Sequence, residues 1–276
     1  TETDLGPTTF IVPAKNLIPH HIFRHCEEAD RWSPDEAISR PGYPTHPGYN
    51  SDMPPATLRV EFHCHTRHSP DSLVRPADLV AAARRKGIDR LVVTDHNRIA
   101  GALEAQALDP ELVIVGEEIM TTEGELLAAF VTELVPSRLP PLEAIAILKE
   151  QGAFISVSHP FDRLRSPWSP AALAAIQPHI DAIETFNART LSPKFNQRAA
   201  AWAAEHDLPG TAGSDAHTLF ELGRATMRLP AFTDAAGLRI AMLQVHYETR
   251  SSGLLARLGS RWASLVNMMS ELNTRD

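Results

Sequence analysis

From Leu58 onward, short apolar runs alternate with longer stretches in which apolar residues return every three or four positions. A period of two marks strands and a period near 3.6 marks helices, so the pattern predicts both in alternation. Strand texture falls on LRVEFHCH, DRLVVTDH, ELVIVGEEIM, LLAAFVTEL, AFISVSHP, IDAIETFN and LPGTAGSDAH. Helical texture falls on PADLVAAARRKG, with Gly87 as its stop, and on PLEAIAILKEQG, SPAALAAIQPH and PKFNQRAAAWAAEHD. Such a rhythm predicts an α/β fold of successive β-α units around a largely parallel sheet. Several of the strands end in histidine or a carboxylate. In barrels of parallel strands the loops at the C-terminal strand ends build the active site, so ligands far apart in sequence would converge there.

The pattern divides the chain into three parts. Residues 1–57 carry clusters such as RPGYPTHPGYNSDMPP, whose Pro and Gly interrupt any regular element, and are expected to form an irregular extension packing on the body. Residues 58–245 form the main domain. Residues 246–276 are expected to be an amphipathic helix, with Leu254, Leu255, Leu258, Trp262, Leu265, Val266 and Met269 on one side. Packing on the body is the expected use of that side, ahead of a membrane surface or a dimer contact.

Composition narrows the classes. The 276 residues, 43% hydrophobic and 22% charged, are those of an ordinary soluble protein, long enough for one barrel-sized domain or two smaller ones. A formal charge of -8 argues against an extended nucleic-acid face. Cys26 and Cys64 are too few for a disulfide scaffold and point to a reducing compartment. No apolar stretch is long enough to span a bilayer, and TETDLGPTTF lacks the basic and apolar regions of a secretory leader, so a cytoplasmic location is expected.

The chemistry concentrates at VEFHCHTRHSPDS. Residues two apart on a strand share a face, so His63 and His65 project together while Cys64 turns away. An H-x-H pair alone is as often structural as ligating. Four further strand ends add to it: Thr94-Asp95-His96, Gly116-Glu117-Glu118-Ile119, Ser158-His159-Pro160 and Gly213-Ser214-Asp215-Ala216-His217. Core filler does not explain so many histidines and carboxylates at strand ends.

The series H-x-H-T...S-x-D, T-D-H, G-x-E-I, S-H-P and G-S-D-A-H resembles the polymerase and histidinol phosphatase (PHP) family of metal-dependent phosphoesterases, over roughly Leu58 to Leu243. The resemblance implies a distorted, TIM-like (β/α)7 barrel. It implies His63, His65 and Asp215 on one metal, with Glu118 bridging to a second metal held also by His159, and Asp71, His96 and His217 on a third. Some members add a histidine to the second metal, but Thr121 to Ser158 contains none here. Glu117 competes with Glu118 for the bridging role, although the two face opposite sides of a strand. Asp95 is a candidate for orienting a ligand, and His68 for the rim. His20, His21, His25, His46, His179, His206 and His246 have no motif around them.

The implied cofactors are two or three divalent ions of Zn, Mn or Fe, which suit mixed histidine and carboxylate ligands. The implied reaction is attack of a metal-bound hydroxide on phosphorus, with His63 and Asp215 serving through the metal and His217 a candidate acid for the leaving group. The expected substrate is a small phosphate ester or nucleotide. Arg189 in ETFNAR and Arg224 follow strand ends closely and are expected to grip phosphate, whereas Lys194 and Arg198 are equally a solvated helix face. Rival readings are histidinol-phosphate phosphatase, an amidohydrolase-type enzyme and a non-catalytic accessory module. The missing histidine favours the shorter general phosphoesterases over the first. No lysine at a strand end supports the second, and the filled metal positions speak against the third.

Overall fold

The computed structural model describes residues 57–273. The expectation for residues 1–57 falls, apart from Thr57, outside this range. Nine strands form one sheet in the order β7-β6-β5-β4-β3-β2-β1-β8-β9. Along the chain, β1 (Thr57–Cys64) leads through α1 (Pro76–Arg85) to β2 (Arg90–Val93), then through α2 (Ala100–Leu108) to β3 (Val113–Met120). β4 (Glu125–Ala129) follows directly, and α3 (Pro141–Glu150), β5 (Phe154–Val157), α4 (Pro170–Ile176), β6 (Ala182–Asn187), α5 (Pro193–Glu205) and β7 (Gly210–Gly213) restore the alternation. The chain closes with β8 (Ala225–Pro230), α6 (Ala235–Ala241), β9 (His246–Thr249) and α7 (Leu254–Asn273).

Strands β1 to β7 curl into a nearly closed barrel. The seam is made beyond β7, where His65 N–H donates to the Ala216 carbonyl at 2.9 Å and Cys64 pairs in parallel with Ala216. The N-terminal half of β1 pairs antiparallel with β8 instead, so closure is confined to the rim that carries His65 and Asp215. Alternating burial follows the two-residue period. Leu91 and Val93 join Val113 and Val115 against the outer helices, with Leu79, Ala83 and Ala102, while Val92 and Ile114 turn to Phe62, Phe154 and Leu238.

Four features differ from the pattern reading. First, β4 runs antiparallel to both neighbours, and its predicted extension to Leu134 stops at Ala129, where Phe130 takes φ +63°. β3 and β4 are a hairpin, so the strict β-α repeat is broken there. Second, α2 has no predicted counterpart: Leu103 and Leu108 lie exposed, leaving only Gly101 and alanines to face the sheet, which makes no stripe a period search can see. Third, β8, α6 and β9 extend the body, so His246–Thr249 belongs to the sheet and the terminal helix starts at Leu254. Fourth, among the described side chains of α7 the buried ones are small: Ser260 and Ala263 are buried, whereas Trp262, Leu265 and Met269 of the predicted apolar side are 66%, 50% and 62% exposed, and Leu254, Leu255 and Leu258 of that side lie outside the described side chains. Among the described residues no helix is long and apolar enough to cross a membrane.

Candidate metal centre

The rim gathers the eight residues read as ligands. Glu118 on β3 is the hub: Oε2 lies 3.1 Å from His63 Nε2, 3.4 Å from His65 Nε2 and 3.1 Å from His96 Nδ1, and Oε1 lies 3.2 Å from His159 Nε2. Asp215 Oδ1 lies 3.3 Å from His65 Nε2 and 3.7 Å from His63 Nε2. Asp71 reaches His217 Nε2 at 2.9 Å and His96 Nε2 at 3.7 Å. The structure therefore brings His63, His65 and Asp215 together, sets Asp71 between His96 and His217, and places His159 across Glu118 from them. Glu117, its neighbour, faces the other way and accepts from the Val135 N–H at 3.0 Å. Strand alternation decides between the two glutamates as expected of residues one apart.

Local backbone makes this crowding feasible. A Cβ on Gly213 would stand 2.3 Å from His63 Cβ, so only glycine lets β7 approach β1 this closely. Asp215, next but one, adopts φ +51°, a left-handed conformation that costs a non-glycine residue energy and recurs at functional sites.

The orientation of His65 fixes its protonation. Ser69 Oγ donates to Asp95 Oδ1 at 2.7 Å and accepts from the His96 N–H at 3.1 Å, so its remaining lone pair accepts from His65 Nδ1 at 3.1 Å. Asp95 is held in turn by the backbone N–H and hydroxyl of Thr66. Burial, reinforced by the neighbouring His217 and His96, lowers the His65 pKa to about 3. The ring is thus neutral, protonated on Nδ1, and its fully buried Nε2 lone pair points at two carboxylates with no hydrogen-bond donor. A lone pair facing carboxylates is repulsive unless a cation lies between them.

The other charges follow the same logic. Burial works against a charge on His63, but Glu118, Asp215 and Glu184 outweigh it and hold its pKa well above the ordinary value. Burial raises Glu118 and Asp215, yet His63 and His96 on the first, and His63 and Arg165 on the second, hold both well below the carboxylate range. Glu184 accepts from His63 Nδ1 at 2.9 Å, orienting that ring, and from the backbone N–H of His159 at 2.8 Å, holding the chain there.

A cavity of about 400 Å3 opens over this cluster, lined by Asp71, His96, Glu125, Arg165, Arg189 and His217 among others. Arg189 lines it, with Nη1 2.6 Å from His217 Nδ1 and Nε 3.1 Å from Glu221. Arg224 does not: its guanidinium stacks on Phe220, whose ring centre is 4.5 Å away, because the loop after His217 turns it off the rim. Arg198 likewise lies over Phe161, and Lys194 is exposed. His68 pairs with Glu104 at the edge.

Three site residues have no role in the sequence reading, Glu184 entering it only as part of IDAIETFN and ETFNAR. Arg165, in an irregular loop after S-H-P, forms an ion pair with Asp215 and donates to Asn187 Oδ1 at 3.0 Å. Glu184 sits in IDAIETFN, where a carboxylate inside a buried apolar strand was the available signal. Glu125 is the third, also a carboxylate on a fully buried strand, and its Oε2 lies 3.4 Å from His159 Nε2.

Comparison with known proteins agrees with this geometry. Residues 61–131 match the family model described as PHP domain, and residues 193–239 match the one described as PHP-associated. An uncharacterized protein of Methanocaldococcus jannaschii is 37% identical over 145 residues, 48% of this chain and 82% of the relative. A 5'-3' exoribonuclease of Haemophilus influenzae is 37% identical over 68 residues, 24% of each chain. The crystal structure of a provisionally named metal-dependent phosphoesterase of Bifidobacterium adolescentis superposes with a TM-score of 0.52 at 21% identity, over 74% of this chain and 99% of that one.

Proposed function

The chain belongs to the PHP domain family, and on that premise we propose that it is a metal-dependent phosphoesterase hydrolysing a small phosphate ester or a nucleotide. The observation that carries this reading is the neutral, undonated Nε2 of His65 between Glu118 and Asp215. The donor set fits divalent cations of the borderline class: His63, His65 and Asp215 with Glu118 would hold one, Asp71, His96 and His217 another, and His159 shares Glu118 with a further position. Bound there, such ions lower the pKa of water and offset charge on phosphoryl oxygens.

The chain's own residues supply the rest. Arg189 and Arg165 present guanidinium groups to the cavity from different loops, which favours a phosphoryl group between them and the cluster. Glu221 and Ser260 fix the Arg189 fork, so its orientation is set before substrate arrives. The cavity is of small-ligand size, which supports a single nucleotide or sugar phosphate over a long polymer. His217 serves either as a ligand through Nε2 or as a proton donor to the leaving oxygen, and these roles exclude each other at one nitrogen. The Haemophilus relative is a 5'-3' exoribonuclease, which supports nucleotide phosphate esters within the substrate class.

The test pairs elemental analysis with phosphate release from a panel of phosphomonoesters and nucleotides, for wild type, His63→Ala and Asp215→Ala. Two or three metal ions per wild-type chain, and a loss of at least roughly 100-fold in turnover in both variants, are expected. A wild-type chain that takes up no metal under manganese, zinc or iron supplementation overturns the reading.

A further inference from the structure

The second position, beside Glu118 and His159, lacks the histidine that some PHP proteins place there, and among the described residues the fold brings a carboxylate to it. β3 and β4 pair antiparallel with Glu118 opposite Leu127 and Met120 opposite Glu125. Directly opposed residues share a face, so Glu125 is the diagonal neighbour of Glu118 on the face that looks into the cavity. The four-residue turn between the strands is held by the Thr121 N–H and hydroxyl on the Gly124 carbonyl, at 2.8 and 2.7 Å, and this sets the register.

Glu125 is 5% exposed, and its carboxylate accepts no hydrogen bond from any N–H or O–H among the described residues. Its Oε2 lies 3.4 Å from His159 Nε2, which also lies 3.2 Å from Glu118 Oε1. Ligand atoms of His96, Glu118 and Glu125 fall within 4.8 Å of one another. Two buried carboxylates converging on one imidazole, one of them without a donor, make a cradle for a cation.

We infer that Glu125 is a ligand of the second metal position, with Glu118 and His159, and that this carboxylate shifts the position's preference from Zn2+ toward a hard, oxygen-preferring ion such as Mn2+. The inference rests on the phosphoesterase reading for the presence of a metal centre and goes beyond it in the ligand and the selectivity. Replacing an imidazole by a carboxylate adds a negative charge and a hard donor, and carboxylate-rich sites suit manganese and magnesium whereas imidazole-rich sites suit zinc.

The experiment strips wild type, Glu125→Gln and Glu125→His with chelator and reloads each with Mn2+ or Zn2+. Metal stoichiometry is read by elemental analysis, affinity by titration calorimetry and folding by circular dichroism. Glu125→Gln is expected to bind one Mn2+ equivalent fewer than wild type with an unchanged spectrum. Glu125→His is expected to regain the equivalent, with the Zn2+ to Mn2+ affinity ratio at that position raised at least about tenfold. Wild-type stoichiometry and affinity in Glu125→Gln overturn the ligand assignment alone. An unchanged ratio in Glu125→His overturns the selectivity. A wild-type chain that binds neither ion overturns this inference and the phosphoesterase reading together.

Discussion

Single atoms decide the chemistry of this rim. The proton on His65 sits on Nδ1 because Ser69 Oγ is already donating to Asp95, and that one hydroxyl therefore aims the Nε2 lone pair. Ser69→Ala is expected to free the tautomer and weaken metal uptake by roughly 10-fold to 100-fold, measured by titration of the stripped protein. Glu117 shows the opposite use of a buried carboxylate. Burial pushes its pKa up to about 7, against a single hydrogen bond from Val135 that lowers it. A carboxyl whose pKa is raised on folding contributes stability in full below its unfolded pKa, near 4.5, and that contribution is lost as pH rises through about 7. Glu117→Gln cannot ionise, so relative to wild type it should gain on the order of 2 kcal/mol between pH 5 and pH 8. Denaturant melts at the two pH values check this, and equal differences at both would contradict it.

At the scale of elements, close approach and small residues set the positions. Helix α2 lies so near the loops after β1 and β2 that a Cβ on Gly101 would stand 2.1 Å from Asp95 Oδ2 and 2.3 Å from Thr66 Oγ1. Gly101→Ala should cost on the order of 3 kcal/mol and disturb the Asp95 to Ser69 to His65 chain, visible as a lower Tm together with weaker metal binding. Helix α7 is tied to the rim by polar bonds: Ser260 accepts from Arg189, and Asn267 Nδ2 donates to the Pro70 carbonyl at 2.9 Å, beside Asp71. Ser260→Ala should loosen the Arg189 fork and raise KM for a phosphate ester severalfold with little change in kcat. A steady-state comparison with wild type distinguishes that from a general loss of fold.

Across the whole molecule, the barrel concentrates charged groups where water is excluded, so folding and metal binding are coupled. Glu118, Asp215, His63 and His65 are all buried at one point. Removing the counter-ions leaves their mutual repulsion and desolvation uncompensated. Chelation should therefore lower Tm and narrow the stability margin by about 4 kcal/mol if the metal stands at 1,000 times its Kd, and a melt with and without chelator measures it. An unchanged Tm would mean that the cluster is stable without ions. The amino-acid sequence alone determined most of the rhythm of strands and helices, because strand and helix periods are local properties that survive in a string of letters, and the eight rim residues followed from the resemblance of its motifs to a family. It also bore the match to a family, through short motifs at strand ends. Only the tertiary structure decided that β4 turns back against β3, that Glu125 thereby becomes the neighbour of Glu118, that Arg165 reaches Asp215 and Arg224 does not, and that on α7 Ser260 and Ala263 are buried while Trp262, Leu265 and Met269 stay exposed. Each of these depends on register or on approach between distant segments, which no local period encodes: a one-residue slip in the β3–β4 hairpin would turn Glu125 out of the cavity without changing a single letter.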